Sequence, residues 1–260
     1  MAEVKRVIID AGHGGDEPGA VFEGRREKDD TLRLALAIGD ILENRGVDVV
    51  YTRTTDVFDT PLEKAMIANR SEGDYFVSIH RNAMPIPGTG SGSTVLVYED
   101  TGIPAMLAGN IQQRLVETGF ADLGIQERPG VIVLRRTQMP AVLVEAGFID
   151  NPSDNRFFDE NFEAIAQAIA DGISETIREQ EEARTAYYQV QVGAFRTRMP
   201  GERLVNELRT KGLPAFLVYD DGLYKARVGA FLNMDNAVRM ERTVRNLGYP
   251  TMLVREPAIY

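Results

Sequence analysis

The sequence predicts an α/β protein: a mostly parallel sheet flanked by helices, followed by a small ferredoxin-like βαββαβ unit. Three observations carry this. Short β-branched runs alternate with helical stripes over the first 177 residues, a highly charged stretch follows, and the rest holds two copies of one strand–helix–strand pattern.

Taken in order, Lys5 to Asp10 (KRVIID) is a short apolar run ending at Gly12 and reads as a buried strand. Asp29 to Asn44 places Leu32, Leu34, Leu36, Ile38, Ile41 and Leu42 along a helical stripe, with Gly46 as the stop. Val47 to Thr52 is a strand, Leu62 to Asn69 a helix, and Tyr75 to His80 a strand. After the Gly/Pro/Ser-rich loop Met84 to Ser93, a strand is predicted over Ser93 to Tyr98 and a helix over Pro104 to Thr118. Gly130 to Arg135 and Ala141 to Glu145 read as strands, and Asn161 to Arg178 as a long helix.

The repeat pairs YYQVQVGAF with LYKARVGAF, each followed by a helix, a proline and a strand, AFLVYD or TMLVRE. Two such halves make one small unit, since two repeats are too few to stack as a solenoid. The expected organisation is a first domain over 1–178, a linker over 179–186 and a second domain over 187–260. Charge divides at the same place. Residues 1–186 hold 18 Lys and Arg against 32 Asp and Glu, whereas residues 187–260 hold 11 against 7. The acidic bulk argues against nucleic acid as a partner, and the basic second segment suits an anionic or polar polymer. No apolar run is long enough to span a membrane. Without cysteine there is no disulfide, thiolate nucleophile or thiolate metal site.

The chain has two histidines, His13 in IIDAGHGG and His80 in SIHRN, both at the ends of predicted strands. In an open parallel sheet the carboxyl ends of strands carry the ligand site. A lone histidine is more often a satisfied core or surface group. Two at converging strand ends, and none elsewhere, favour a metal, and zinc takes such a set when a carboxylate completes it. Spacing alone leaves that carboxylate open among Glu27, Glu17, Glu23, Asp29 and Asp16. Glu145 interrupts the apolar run PAVLVEAGF, and a carboxylate buried in a strand needs a cation or a raised pKa. That makes it a candidate acid or base.

The segments IIDAGHGG, EKD, SIHRNA and PAVLVEAGFIDNPSD resemble, in that order, the motifs of the zinc-dependent N-acetylmuramoyl-L-alanine amidases of the amidase-3 family. The resemblance covers Val4 to Ile177. It implies hydrolysis of the amide between N-acetylmuramic acid and L-alanine in peptidoglycan, with one Zn2+ held by His13, Glu27 and His80 and Glu145 catalytic. Two departures are Glu17, where the family has Asp, and Thr31, where it has Asn. Asn82 and Arg81 are expected to hold substrate. The C-terminal repeat resembles the SPOR domain, a peptidoglycan-binding module. That likeness makes Gln189, Gln191, Tyr224 and Arg227 candidate glycan contacts, while Phe195 and Phe231 are expected in the core.

The resemblance implies glycan strands and stem peptides as partners. The chain is expected to be a monomer, acting at the cell wall or, lacking an N-terminal secretory signature, from a mother cell at sporulation. The alternative is a non-catalytic wall-binding or regulatory protein of the same fold. A wall carboxypeptidase is disfavoured, because no HExxH helix or HxH pair occurs.

Overall fold

Strand β1, Arg6–Ala11, has five consecutive buried residues and is the inner strand on which the site is built. A fully buried strand needs apolar cover on both faces, and its β-branched residues supply it. In the computed structural model, which describes residues 4–256, the chain divides into two compact units between Ile177 and Arg178.

The first unit carries a six-stranded sheet in the order β4-β1-β5-β8-β6-β7. Its strands are β1, β4 (Asp48–Tyr51), β5 (Tyr75–Asn82), β6 (Ser93–Val97), β7 (Asp122–Glu127) and β8 (Ala141–Phe148). β4, β1, β5 and β8 are mutually parallel; β6 pairs antiparallel with β8 and parallel with β7. The two short strands β2 (Val21–Phe22) and β3 (Arg25–Arg26) form a separate hairpin.

Side-chain alternation sorts the sheet into two faces. Val7, Ile9, Val77, Ile79, Val142 and Val144 pack under helices α1 (Glu27–Asn44), α3 (Gly102–Thr118) and α6 (Phe162–Thr185). Ile8, Phe76, Ala141 and Leu143 face the opposite way, against α2 (Pro61–Arg70) and α4 (Ile132–Arg136). Asp10, Ser78, His80 and Glu145 have the parity of this second face, so the functional side chains emerge on the α2–α4 side. Local chemistry starts the helices cleanly. Thr60 and Glu63 form a capping box before α2 with Pro61 in its first turn. Asn151 caps α5, Pro152–Glu160.

The structure departs from the sequence reading at several points. Gly130 to Arg135, expected as a strand, is a turn leading into α4. Neither neighbour it would need is free: β8 is paired on both sides, and the flank of β6 is taken by β7, which sequence patterning missed. α5 was likewise unforeseen. The charged stretch after Arg178, which reads as a linker or a helix extension, continues α6, which runs to Thr185; its Arg, Glu and Gln residues are good helix formers.

The second unit follows the repeat: β9 (Tyr187–Phe195), α7 (Arg198–Thr210), β10 (Ala215–Asp220), β11 (Leu223–Phe231), α8 (Met234–Asn246) and β12 (Met252–Glu256). The antiparallel order is β10-β11-β9-β12. Val190, Val192, Ala226 and Val228 pack beneath Val205, Leu208 and Val244 of the two helices.

A buried ion pair ties the sheet to α2. Lys64 Nζ lies 2.9 Å from Asp10 Oδ1, with side-chain exposures of 4% and 1%. Thr52 Oγ1 and Ser78 Oγ also donate to Asp10, at 2.7 and 2.6 Å. Burial pushes the Asp10 carboxyl up, and Lys64 with the two hydroxyls overrules it to hold the group below the ordinary range. The stability it contributes is present above that range and is lost as pH falls through the lowered value. Removing one partner strands the other charge, so Lys64→Met should destabilise the first unit by about 3–5 kcal/mol. Urea unfolding of the full chain measures this, and a change below about 1 kcal/mol would contradict the role given to the pair.

Candidate metal centre and hydrolytic cleft

His13 stands one turn beyond β1 with φ 60, in the left-handed region that L residues other than glycine rarely adopt. The surroundings impose it. Backbone bonds between Gly14 and Glu17 close the loop at 2.9 and 3.0 Å, and Lys64 Nζ lies 3.4 Å from the His13 carbonyl. Two glycines make room. A Cβ on Gly12 would sit 2.5 Å from the His80 ring; one on Gly19, φ 69, would sit 2.6 Å from His13 Cδ2 and 2.7 Å from Glu27 Oε2. Here close approach, and at Gly19 also the backbone angle, demand glycine.

Glu27 opens α1 and is 4% exposed. Its carboxylate receives four groups. His13 Nε2 is 3.0 Å from Oε2 and His80 Nδ1 2.9 Å from Oε1. The amides of Ala20 and Arg81 donate to Oε2 and Oε1 at 3.0 Å each. Burial alone would raise the Glu27 carboxyl, but the two imidazoles win and hold it well below the usual carboxylate range. The His13 and His80 rings are 4.8 Å apart at 77°. The remaining His13 nitrogen, Nδ1, contacts Glu17, which sets which ring nitrogen points inward.

The donor atoms of His13, Glu27 and His80 all lie within 4.8 Å of one another. Two imidazole nitrogens and one carboxylate oxygen form a set that suits zinc, with a fourth position left for water or substrate. Tetrahedral bonds of about 2.0–2.1 Å separate neighbouring donors by about 3.3 Å; the two His–Glu27 separations, 3.0 and 2.9 Å, lie near that, and the set as a whole stays within 4.8 Å. These three residues could therefore hold one divalent ion.

Glu145 is aligned in register with His80 on the adjacent strand. Its Oε2 is buried and makes no hydrogen bond. Burial pushes its carboxyl up to about 7, against the pull of His80 and with the added repulsion of Glu27. A carboxyl poised near neutrality beside a candidate metal set is equipped to take and return a proton.

A cavity of about 250 Å³ opens from His13 and His80 along the α2–α4 face. Its walls include Phe58, Pro61, Val131 and Ile132, over Leu143. Sequence reasoning missed this wall, and also Asp10, Lys64 and the contact of Glu17 with His13. For Asp10 a signal was present, a charge at the end of the apolar run VIID; Lys64, beside Glu63 in PLEKAMIAN, reads as an ordinary helix-surface charge.

Other expected contacts are placed differently. Arg81 is 2% exposed, with Nη1 2.7 Å from Asp30, Nη2 2.8 Å from Asn155 and Cζ 4.1 Å from the Phe158 ring centre. Burial lowers its pKa to about 10, against the pull of Asp30. Its side chain is thus structural, turned from the cleft by strand alternation, while its amide holds Glu27. Asn82 is half-buried and accepts the Ala83 amide at 2.8 Å.

In the second unit, Gln189, Gln191 and Arg227 lie on the sheet face away from the helices. Arg227, however, is 2% exposed and bound to Gln189 at 3.0 Å and Glu256 at 2.7 Å, so its charge is already neutralised. Tyr224 sits on the helix side, its ring 4.6 Å from Tyr219 and its Cβ beside Gly201. Phe195 packs against the core, as expected, and Phe231 is half-buried over Gly229 outside that cluster.

Comparison with known proteins places this geometry in context. Residues 7–175 match the family model described as N-acetylmuramoyl-L-alanine amidase, and residues 185–255 match the SPOR domain. A sporulation-specific N-acetylmuramoyl-L-alanine amidase of Bacillus subtilis is 34% identical over 222 residues, covering 83% of this chain and 85% of its own length. Among solved structures, an N-acetylmuramoyl-L-alanine amidase from Clostridium difficile superposes with a TM-score of 0.65 at 31% identity, over 68% of this chain and 98% of that one. The catalytic domain of CwlV from Bacillus (Paenibacillus) polymyxa gives 0.63 at 34%, over 67% and 99%. The chain therefore belongs to the N-acetylmuramoyl-L-alanine amidase family and carries a SPOR domain after its amidase unit.

Proposed function

We propose that this chain hydrolyses the amide between the lactyl group of N-acetylmuramic acid and the L-alanine of the stem peptide, with one zinc ion held by His13, Glu27 and His80. The observation that carries the reading is their convergence beside the unpartnered Glu145 Oε2. A zinc ion in that set supplies Lewis acidity to the scissile carbonyl and lowers the pKa of a water. Glu145 takes the proton from the water that adds to the carbonyl carbon. It then returns that proton to the alanine nitrogen as the C–N bond breaks, leaving a lactyl carboxylate and a free amine. Glu17 keeps His13 Nε2 turned inward, and the amides of Ala20 and Arg81 keep Glu27 in place. The absence of further hydrogen bonds to Glu145 suits this work, since each would lower its affinity for the proton.

The site of action is the peptidoglycan wall. The SPOR unit tethers the amidase unit to that polymer and raises its local concentration there. Gln189 and Gln191, on the open sheet face, are the candidate glycan contacts.

Glu145→Gln should retain one zinc per chain by metal analysis while digestion of dye-labelled walls falls about 10²–10⁴-fold. Undiminished digestion would remove Glu145 from the reaction. Chelation should abolish digestion and lower the thermal midpoint of the wild type. At free zinc 100 times its Kd, bound metal adds about 2.7 kcal/mol to stability. A His80→Ala chain should show no such chelator-dependent shift. Deleting residues 187–260 should weaken binding to intact walls in a pelleting assay and leave turnover of soluble muramoyl peptides unchanged.

A further inference from the structure

The cleft wall holds one charge that the reaction does not use. Asp59 is half-buried in the wall beside Phe58 and Pro61, and it has no hydrogen bond or ion pair among the described residues. The other charges of that wall are committed. Lys64 is spent on Asp10 and on the carbonyls of Ala11 and His13. Glu17 is spent on His13. Behind the wall, Arg53, 3% exposed, has its donors taken by the carbonyls of Ala11, Gly12, Lys28 and Thr55 at 2.8–3.1 Å, and its charge is shared among Asp10, Asp56, Asp29 and Asp59. Asp59 thus stands in the groove with no hydrogen-bonded or ion-paired partner, acted on only from beyond ion-pair distance by the buried Arg53, and next to it the exposed wall is mostly apolar.

The groove also indicates which part of the substrate enters it. A pyranose ring brings several hydroxyls that each need a partner, and beside Asp59 the side chains of Phe58, Pro61, Val131 and Ile132 offer none. A peptide brings alkyl stretches that such walls accommodate. A carboxylate set among apolar walls attracts a cation more strongly than one in open water. In stem peptides that cation is the side-chain ammonium of the diamino acid. Cross-linking acylates this amine and removes the charge.

Building on the amidase reading, we propose that Asp59 is a specificity-determining residue, which receives the free ammonium of an un-cross-linked stem peptide lying in the α2–α4 groove. The enzyme then works fastest on stems that have not been joined to a neighbour.

The test compares kcat/KM of the zinc-loaded full chain on two soluble muramoyl peptides. They are identical except that the diamino-acid side chain is free in one and N-acetylated in the other. Wild type should favour the free amine about three- to fivefold at low salt, as fits a half-exposed ion pair, and the ratio should fall towards one near 1 M salt. Asp59→Asn should erase the preference by lowering the free-amine substrate towards the acetylated one, Asp59→Glu should keep it, and Asp59→Lys should invert it. Equal rates in wild type, or a preference that survives Asp59→Asn, would overturn the assignment. Cleavage of neither peptide would instead bring down the amidase reading, and the assignment with it.

Discussion

The site depends on keeping one buried carboxylate charged. Glu27 lies at the mouth of the core, where an unpaired charge would cost several kcal/mol. It is sustained by two imidazoles and two backbone amides. The four donors come from three separate parts of the chain: His13 from the loop after β1, the Ala20 amide from the turn before the hairpin, and His80 with the Arg81 amide from β5. The demand for compensation at Glu27 therefore draws these segments to one point, and a cation-binding geometry follows from it.

Beneath that point lies a second buried charge with its own support. Asp10 and Lys64 neutralise one another under the cleft, and Lys64 also reaches the carbonyls of Ala11 and His13. The strained backbone of His13 is held by this lysine and by the closed Gly14–Glu17 loop. A third cluster, Arg81 with Asp30, Asn155 and Phe158, braces the start of α1 from the opposite side. Around the cleft, charges serve first to fix backbone, and those left without a hydrogen-bonded partner are where chemistry or recognition can occur. Glu145 Oε2 is one. Asp59 is another.

Much of the fold was legible because period and punctuation are local. β1, β5, β8, α1, α3 and the βαββαβ repeat could be read from runs, stripes and turn residues. The segment 130–135 misled because its β-branched run matches a strand, whereas β8 and β6 are already paired on both sides and the segment packs on the sheet as α4 instead. β7 was missed because only Leu123 and Ile125 break its polar sequence. The charged stretch after Arg178 reads equally as linker or helix, and the geometry of α6 chose helix.

By itself the sequence determined the alternation of elements, the two-unit division, the pairing of two rare histidines with strand ends, and the anomaly of a glutamate inside an apolar strand. Its ordered motifs also named the family. Only the tertiary structure decided that Arg81 is a brace, that Arg227 is neutralised and that Tyr224 faces the helices. It alone showed that Glu17 orients His13, and it alone assembled the wall in which Asp59 stands. The physical reason is the same in each case. Residue type sets what a side chain can do, but which face it takes and which charges surround it depend on strand parity and on partners as far as 134 residues away.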